Sequence, residues 1–274
     1  MKKIIVFLCL LGLTVPAGAQ IGSSLLIPRD AEEIGIRQSI SSEALDGGTL
    51  SAGATYGLWA PQASNSNLLS ASAAMNFLDK FSARLELAHI SDRQSGMLYN
   101  ENGAPLGEYK GSELLLEAGA AMKVLPSLAL GLNLKMLNYN LSSELKGNNF
   151  AADLSACYAL KDWRFDLGLE NLGLSGLSSA SAGASYAKAM FKAVAEVDYY
   201  FAGAFSAAVG AEVNYRQLAF FRAGYHLGSQ SPALPSYASV GTGVKFKGFQ
   251  LDLAYLLGSS TISGTLLFTI KYTL

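Results

Sequence analysis

The sequence predicts an all-β fold, a transmembrane antiparallel β-barrel of about fourteen strands. Half of its residues are hydrophobic and only 15% are charged. Beyond the first nineteen residues, however, it has no run of about twenty apolar residues such as a membrane helix requires. Apolar residues instead alternate with polar or small ones over stretches of about ten, which is the period of a strand and the length that crosses a bilayer at a barrel tilt. High apolar content without apolar runs therefore indicates strands with one face in lipid.

Residues 1–19 are predicted to be a secretory signal peptide. Two lysines precede an apolar stretch, and Ala17-Gly18-Ala19 offers a small-residue cleavage site, so the exported chain is expected to begin near Gln20. Removing those two lysines from the twenty basic residues leaves 18 against 21 acidic ones. A nucleic-acid-binding protein needs a clustered basic face, so we expect no nucleic-acid partner.

Residues 20–48 are less periodic than the rest of the exported chain, and two interpretations of them stay open. They could plug the barrel, or they could form a flexible periplasmic lead-in to it. The barrel itself is assigned to residues 49–274. The charged residues of the segment before it are Arg29, Asp30, Glu32, Glu33 and Arg37.

Strands are predicted along almost the whole of this barrel region. The clearest runs from Phe205 to Arg216, with apolar residues at every second position from Phe205 to Tyr215. The last segment, Leu266 to Leu274, alternates in the same way and is similar to the C-terminal assembly signal of outer-membrane barrels. The predicted strand centres lie near Thr55, Ala71, Glu86, Ala118, Gly131, Leu154, Leu167, Gly183, Ala195, Val209, Ala223, Thr242, Leu253 and Phe268.

The connections between these strands alternate in length, which predicts the direction of the barrel. Short connections such as 78–80 and 247–248 alternate with longer ones such as 91–110 and 228–235. Outer-membrane barrels have short periplasmic turns and longer extracellular loops, so both chain termini are expected on the periplasmic side. Aromatic residues near strand ends are expected to form interfacial girdles. They are Trp59, Tyr99, Tyr139, Trp163, Tyr199, Phe201, Tyr215 and Phe249.

Charged residues occupy the parity opposite to the apolar one and are predicted to face the lumen. On the lipid face, each charge would cost roughly 2 to 4 kcal/mol at the bilayer midplane. Both signs of charge are present, whereas a selective pore is usually lined by charges of one sign. This mixture favours an ionic network that fills the lumen, and a permeation path through the lumen is the alternative. The predicted network comprises Arg84, Glu86, Glu117, Lys135, Asp153, Arg164, Asp166, Glu170, Lys192, Glu196, Asp198, Glu212, Arg216, Arg222, Asp252 and Lys271.

The sequence predicts neither an enzyme nor a cofactor or metal site. His89-Ile90-Ser91 resembles the His-x-Ser arrangement of outer-membrane phospholipase A, in which a histidine activates a serine nucleophile. Those enzymes continue with Asn, whereas Asp92 follows here. The other histidine, His226, is expected in the lumen near Arg222, and we predict no catalytic residue. Cys157, the one cysteine outside the predicted signal peptide, has no Cys or His partners at metal-ligand spacing.

Short motifs carry a resemblance to a known family. The stretch Leu167-Gly168-Leu169-Glu170-Asn171-Leu172-Gly173 and the strand Leu130 to Lys135 are similar to strands of the PorV/PorQ-like barrels of Bacteroidetes, within the FadL-type superfamily. Trp59-Ala60-Pro61 resembles a degraded form of that family's Asn-Pro-Ala turn. The resemblance implies an integral protein of the cell outer membrane.

Two functions follow from this resemblance. The first is interaction with other proteins in type IX secretion or in cell-surface attachment of exported proteins, with those proteins and outer-membrane lipid as partners. The alternative, implied by FadL-like relatives, is transport of small hydrophobic molecules, with such a molecule as ligand.

Overall fold

The structure is a computed structural model, and it describes residues 22–33, 39–46, 50–99, 103–141, 145–258 and 261–274. The predicted signal peptide lies outside the described residues. The helices are a 3-10 turn at Ser23–Leu25 and α1 at Ile40–Asp46. The strands are β1 Leu50–Trp59, β2 Ser66–Phe77, β3 Phe81–Asp92, β4 Gly96–Tyr99, β5 Pro105–Tyr109, β6 Ser112–Leu125, β7 Leu128–Asn140, β8 Lys146–Leu160, β9 Trp163–Leu172, β10 Ser179–Lys188, β11 Phe191–Tyr200, β12 Phe205–Tyr215, β13 Ala219–Gly228, β14 Tyr237–Phe246, β15 Phe249–Gly258 and β16 Thr265–Thr273.

Fourteen of these strands form one closed antiparallel barrel, which confirms the predicted fold class. Each barrel strand pairs with its sequence neighbours, and β1 closes the ring by pairing with β16, where Tyr56 lies opposite Phe268. Every predicted strand centre falls within one of the barrel strands. The two remaining strands, β4 and β5, form a separate hairpin in the connection between β3 and β6.

Side chains alternate between the two faces of the wall as the period of two requires. On β12, Phe205, Val209 and Tyr215 point outward and are exposed, whereas Ser206 and Ala208 point inward and are buried. The same alternation on the other strands gives the barrel an apolar outer surface, as a lipid-facing wall needs. No helix among the described residues is long and apolar enough to cross a membrane.

Two residues of the predicted aromatic girdles, Trp59 and Tyr139, have the inward parity of their strands. Trp59 is 7% exposed and packs in the lumen, because it shares the inward parity of Thr55 and Gly57 on β1. Trp163 and Tyr199 do point outward and are exposed. An aromatic residue near a strand end therefore joins the girdle only when its parity directs it toward lipid.

The two ends of the barrel differ in their connections. At one end, called here the short-turn end, adjacent strands are joined by tight turns with left-handed residues such as Asp79 (φ 52°), Lys161 (φ 56°) and Lys247 (φ 49°). Left-handed backbone matches such turns to the twist of an antiparallel pair. At the opposite end, called the long-loop end, the connections are longer, and one of them carries the β4–β5 hairpin.

Residues 22–33 and 39–46, called here the N-terminal segment, contact the inward faces of the strands. Leu25, Ile27 and Ile40 are fully buried, and α1 packs against β3, β6, β7 and β8. Glycines on the wall make room for α1. A Cβ on Gly119 would lie 2.5 Å from Ile40 Cδ1, and one on Gly131 would lie 2.6 Å from Ile40 Cγ2.

Candidate functional site

The long-loop end of the lumen is filled by apolar side chains, called here the apolar layer. Ile27 packs in one buried cluster with Trp59 and Leu256, and Leu25 packs in another with Leu115. Full burial of an aliphatic side chain of this size contributes about 1.5 to 3 kcal/mol. The other members of the two clusters are Ala31, Ala60, Leu68, Ala88, Ile90, Leu137, Ala151, Leu174, Leu177, Tyr237, Ala254, Ile262 and Leu267.

Backbone groups of the N-terminal segment also bind the wall. The carboxylate of Glu113 accepts hydrogen bonds from the backbone N–H of Gly22 at 2.7 Å and of Ser24 at 2.9 Å. The hydroxyl of Thr269 accepts from the backbone N–H of Ala31 at 2.9 Å. The predicted network omits Glu113, because strand periodicity alone does not indicate that a carboxylate will meet a distant backbone.

Below the apolar layer, Arg29 joins the N-terminal segment to two strands through buried ion pairs. Its Nε lies 2.9 Å from Glu86 Oε1, and its Nη1 lies 3.1 Å from Glu117 Oε2. Arg84 binds the same Glu117 at 3.3 Å and also Glu43 of α1 at 3.1 Å. We call these five residues the Arg29 cluster. Each positive charge in it contacts two carboxylates, so desolvation is offset by pairing.

A second ionic group, called here the Arg222 cluster, lies on β12, β13, β15 and β16. Arg222 binds Glu212 and Asp252 of the wall at 2.6 Å each, and Glu32 of the N-terminal segment at 3.2 Å. Lys271 pairs with both Asp30 and Glu32. The side-chain amide of Gln250 donates to Asp252 at 2.8 Å and also to Glu32. The sequence predicted Glu212, Arg222, Asp252 and Lys271 in the lumen, but it predicted neither Gln250 nor the partners in the N-terminal segment.

Two further residues of the predicted network, Lys135 and Asp153, pair with each other within the wall. Lys135 Nζ is 2.6 Å from Asp153 Oδ2 and donates a hydrogen bond to Asn171 Oδ1 at 2.9 Å. Asp153 also accepts from the backbone N–H of Asn171 at 2.8 Å and from Asn133 at 3.3 Å. This arrangement joins β7, β8 and β9 without using the N-terminal segment.

The remaining predicted residues make hydrogen bonds to serines or lie elsewhere. Asp166 accepts from Ser39 at 2.8 Å, and Arg164 donates to Ser42 at 3.4 Å, so both meet the region of α1. Lys192 is exposed near the start of β11. Glu170, Glu196 and Asp198 lie together on the wall of one lumen cavity.

Arg216 does not join the lumen group. It lies in the turn after β12 with φ 53°, its side chain is exposed, and its guanidinium lies 5.3 Å from the ring centroid of Tyr215. The strand ends at Tyr215, so the inward parity that predicted Arg216 no longer applies there.

The acidic groups of the N-terminal segment have shifted pKa values. Burial raises the pKa of Asp30 to about 6, against the opposing attraction of Lys271. Burial also disfavours the charged form of Glu32, but the charges of Lys271 and Arg222 outweigh it and hold the pKa of Glu32 at about 2. At neutral pH both carboxylates therefore contribute negative charge to the Arg222 cluster.

Two cavities in the lumen have volumes of about 50 and 60 Å³. An apolar cavity that binds benzene has a volume of roughly 150 Å³. Neither cavity therefore admits an aromatic molecule of that size while the N-terminal segment stays where it is.

Solved structures with a similar fold include two toluene transporters and a FadL homologue. The Ralstonia pickettii toluene transporter TbuX superposes with a TM-score of 0.60 at 13% identity, covering 86% of this chain and 92% of that one. The Pseudomonas putida toluene transporter TodX gives 0.58 at 12%, with coverages of 85% and 91%. A Pseudomonas aeruginosa FadL homologue gives 0.56 at 10%, with 93% and 96%. No protein-family model and no curated protein matches the sequence.

At these identities the likeness establishes the fold, and function has to be argued from the site. The barrel, with its apolar outer band, has the surface that a barrel spanning a lipid bilayer needs. Two of these neighbours are toluene transporters, which is compatible with the expectation that the protein is not an enzyme. His89 and Ser91 lie on the outward parity of β3, away from the ionic groups of the lumen.

Proposed function

We propose that the protein is a FadL-type passage for small hydrophobic molecules across the outer membrane, with the N-terminal segment acting as its plug. The observation that carries this proposal is the apolar layer at the long-loop end of the lumen. An apolar molecule entering from that end meets buried Leu, Ile, Trp and Tyr side chains before it reaches the Arg29 and Arg222 clusters. We propose further that the long-loop end is extracellular and the short-turn end periplasmic.

The class of ligand follows from the lining of the apolar layer. Leu25 and Ile27 of the plug already bury apolar surface against Leu115, Trp59 and Leu256 of the wall. A small aliphatic or monoaromatic molecule can replace those contacts when the plug moves, because apolar contacts are non-directional. A charged or strongly polar solute would lose its hydration there without gaining hydrogen bonds.

The resting state is closed. The cavities of about 50 and 60 Å³ are too small for such a ligand, so the plug has to shift for passage. The Arg29 and Arg222 clusters hold it in place, because both contain residues of the plug and of the wall. We propose that ligand binding in the apolar layer competes with Leu25 and Ile27 and thereby weakens the seating of the plug.

Uptake of labelled toluene by intact Gram-negative cells that lack their own hydrocarbon channel tests this function. Cells producing the protein should accumulate toluene several-fold faster than cells without it. Leu115→Thr, which puts a hydroxyl in the apolar layer, should lower the rate at equal amounts of folded protein. Leu85→Thr is the matched control, since Leu85 is 65% exposed on the outward face. Equal rates with and without the protein would refute the proposal.

A second candidate is docking of exported proteins, the role implied by the resemblance to PorV/PorQ-like barrels of type IX secretion. The comparisons reported above lend this narrower family no support. The filled, ion-paired lumen and the β4–β5 hairpin on the long-loop side favour it, since both suit a protein that works through its rim. Affinity purification from native outer membranes is the test, and the absence of a stoichiometric partner would count against docking.

A further inference from the structure

Basic side chains lie around the short-turn end of the barrel. The hairpin turns of that end join β2 to β3, β6 to β7, β8 to β9, β10 to β11, β12 to β13 and β14 to β15. Five of these six turns have an exposed lysine or arginine in the turn or at the end of the strand before it. We call these residues the basic rim, and they are Lys80, Lys161, Lys188, Arg216 and Lys247. Because the turns follow one another around the closed barrel, the five charges are spread along its edge.

The basic rim is not neutralised by acidic side chains. Asp79 and Asp162 are the acidic side chains described in the same turns, so five bases stand against two acids. No member of the rim forms an ion pair among the residues that the structure describes. The long-loop end has three exposed basic side chains in the described part of the chain, Arg93, Lys110 and Lys146. The short-turn end therefore has positive charge available for an anionic partner.

Lysines of the basic rim lie over aromatic rings of the outer face. Lys80 Nζ is 5.8 Å from the ring centroid of Phe81, and Lys247 Nζ is 5.3 Å from that of Phe246. Phe246 is 67% exposed on the lipid-facing side of β14. Aromatic rings in such positions mark the interface between the hydrocarbon and the headgroups of a bilayer. The ammonium groups beside them therefore lie at the depth of the headgroups, where lysine places its charge when its stem packs on apolar surface.

Two members of the basic rim flank Trp163. Lys161 lies in the turn that leads into β9, where Trp163 is the first residue. Across the sheet Trp163 pairs with Tyr186 of β10, two residues before Lys188, and the two ring centroids lie 5.0 Å apart. Trp163 points outward and is exposed. The two neighbouring turns thus combine an outward aromatic surface, which can contact acyl chains and glycerol, with two ammonium groups, which can bind a phosphate.

We propose that the basic rim binds the headgroups of anionic phospholipids, with Lys161, Trp163 and Lys188 forming one of the contact sites. A lipid fits this surface better than a soluble acidic protein, because the rim continues directly into the apolar wall that faces the bilayer. A basic side chain close to an anionic membrane surface strengthens association roughly fivefold. The rim charges are exposed, so salt should screen this attraction.

Quenching of tryptophan fluorescence by brominated lipids tests the proposal. The sequence has two tryptophans, and Trp59 is buried in the lumen, so bromine on lipid chains reports on Trp163. The full-length exported protein is reconstituted in vesicles of phosphatidylcholine and phosphatidylglycerol, with one or the other lipid brominated. At low salt, phosphatidylglycerol should associate at Trp163 roughly threefold or more strongly than phosphatidylcholine. High salt should remove this preference.

The double variant Lys161→Gln/Lys188→Gln should also remove the preference for phosphatidylglycerol. Lys110→Gln/Lys146→Gln is the matched control, because it removes the same charge from exposed lysines at the long-loop end. It should associate with the two lipids as the wild type does. Heat-modifiable migration in gel electrophoresis checks that each variant is folded.

Equal association of the two lipids with the wild type would overturn the proposal and would favour a soluble acidic partner for the basic rim. A preference that survives Lys161→Gln/Lys188→Gln, or that the control variant also loses, would overturn it as well. Both leaflets of the vesicle have the same composition, so the result does not depend on which end of the barrel is extracellular. The measurement is made without transport, and its outcome is independent of the hydrocarbon-uptake test.

Discussion

Replacing Arg29 by alanine should release the N-terminal segment from the wall while leaving the barrel intact. Arg29 is buried and pairs with both Glu86 and Glu117, so Arg29→Ala removes the ion pair of Glu86 with Arg29 and one ion pair of Glu117. Removing one partner of a buried ion pair costs about 3 to 5 kcal/mol. Because Arg84 still pairs with Glu117, we expect the lower end of this range, about 3 kcal/mol. The equilibrium constant for release of the N-terminal segment from the wall should then be roughly 100-fold larger. The strand ladders do not depend on this side chain.

Hydrogen exchange measured by mass spectrometry in detergent micelles gives the readout. Backbone amides of residues 22–33 in Arg29→Ala should exchange roughly 100-fold faster than in the wild type, while peptides from β12 and β13 keep their protection. Arg93→Ala is the matched control, because Arg93 is exposed next to the end of β3. If residues 22–33 exchange at the same rate in both variants, the Arg29 cluster does not hold the segment.

Further perturbations test the other contacts of the lumen. Gly131→Ala should increase hydrogen exchange in α1, because a Cβ there would lie 2.6 Å from Ile40, whereas Gly183→Ala, with 3.5 Å to its nearest neighbour, should not. The protection of residues 22–33 should rise roughly tenfold as the pH falls from 7 to 5, and Asp30→Asn should abolish this rise. The sign follows because burial raises the pKa of Asp30 from 3.8 to about 6, so the seated segment binds a proton that a released segment does not. Glu32 has the opposite effect on the binding of the segment, because its pKa in the bound segment is held at about 2 and its protonation favours release. This effect appears only below about pH 4.5. Lys135→Met should lower the stability of the barrel by about 3 kcal/mol, measured by its unfolding temperature, because Asp153 stays buried, and exposed Lys146→Met should leave it unchanged.

The barrel could be predicted from the sequence because the surrounding lipid constrains the residues of each strand separately. Each strand must expose apolar side chains to lipid at every second position. The period and the length of each strand can therefore be recognised in the sequence. Phe205 to Tyr215 and Leu266 to Thr273 follow this rule, and both are strands in the structure. Trp59 was misassigned because residue type near a strand end says nothing about parity, which the register of the strand fixes.

The inner contacts were less predictable because they join residues far apart in the chain. Glu32 contacts Arg222 and Lys271 across most of the sequence, and its own stretch has no periodicity that would assign it to a face. The wall residues could be predicted to face inward from the cost of placing charge in lipid. Their partners in the N-terminal segment, and the role of Glu113, required the path of that segment through the barrel.

By itself, the sequence determined that the chain forms a closed barrel of fourteen strands and which faces of those strands turn inward, because lipid excludes charge and unpaired backbone at every position. Only the tertiary structure decided how the lumen is filled. It placed Leu25 and Ile27 in an apolar layer, and Arg29 and Glu32 in ionic clusters. These contacts depend on barrel closure, which brings distant strands and an aperiodic segment to one interior without leaving a local pattern in the sequence.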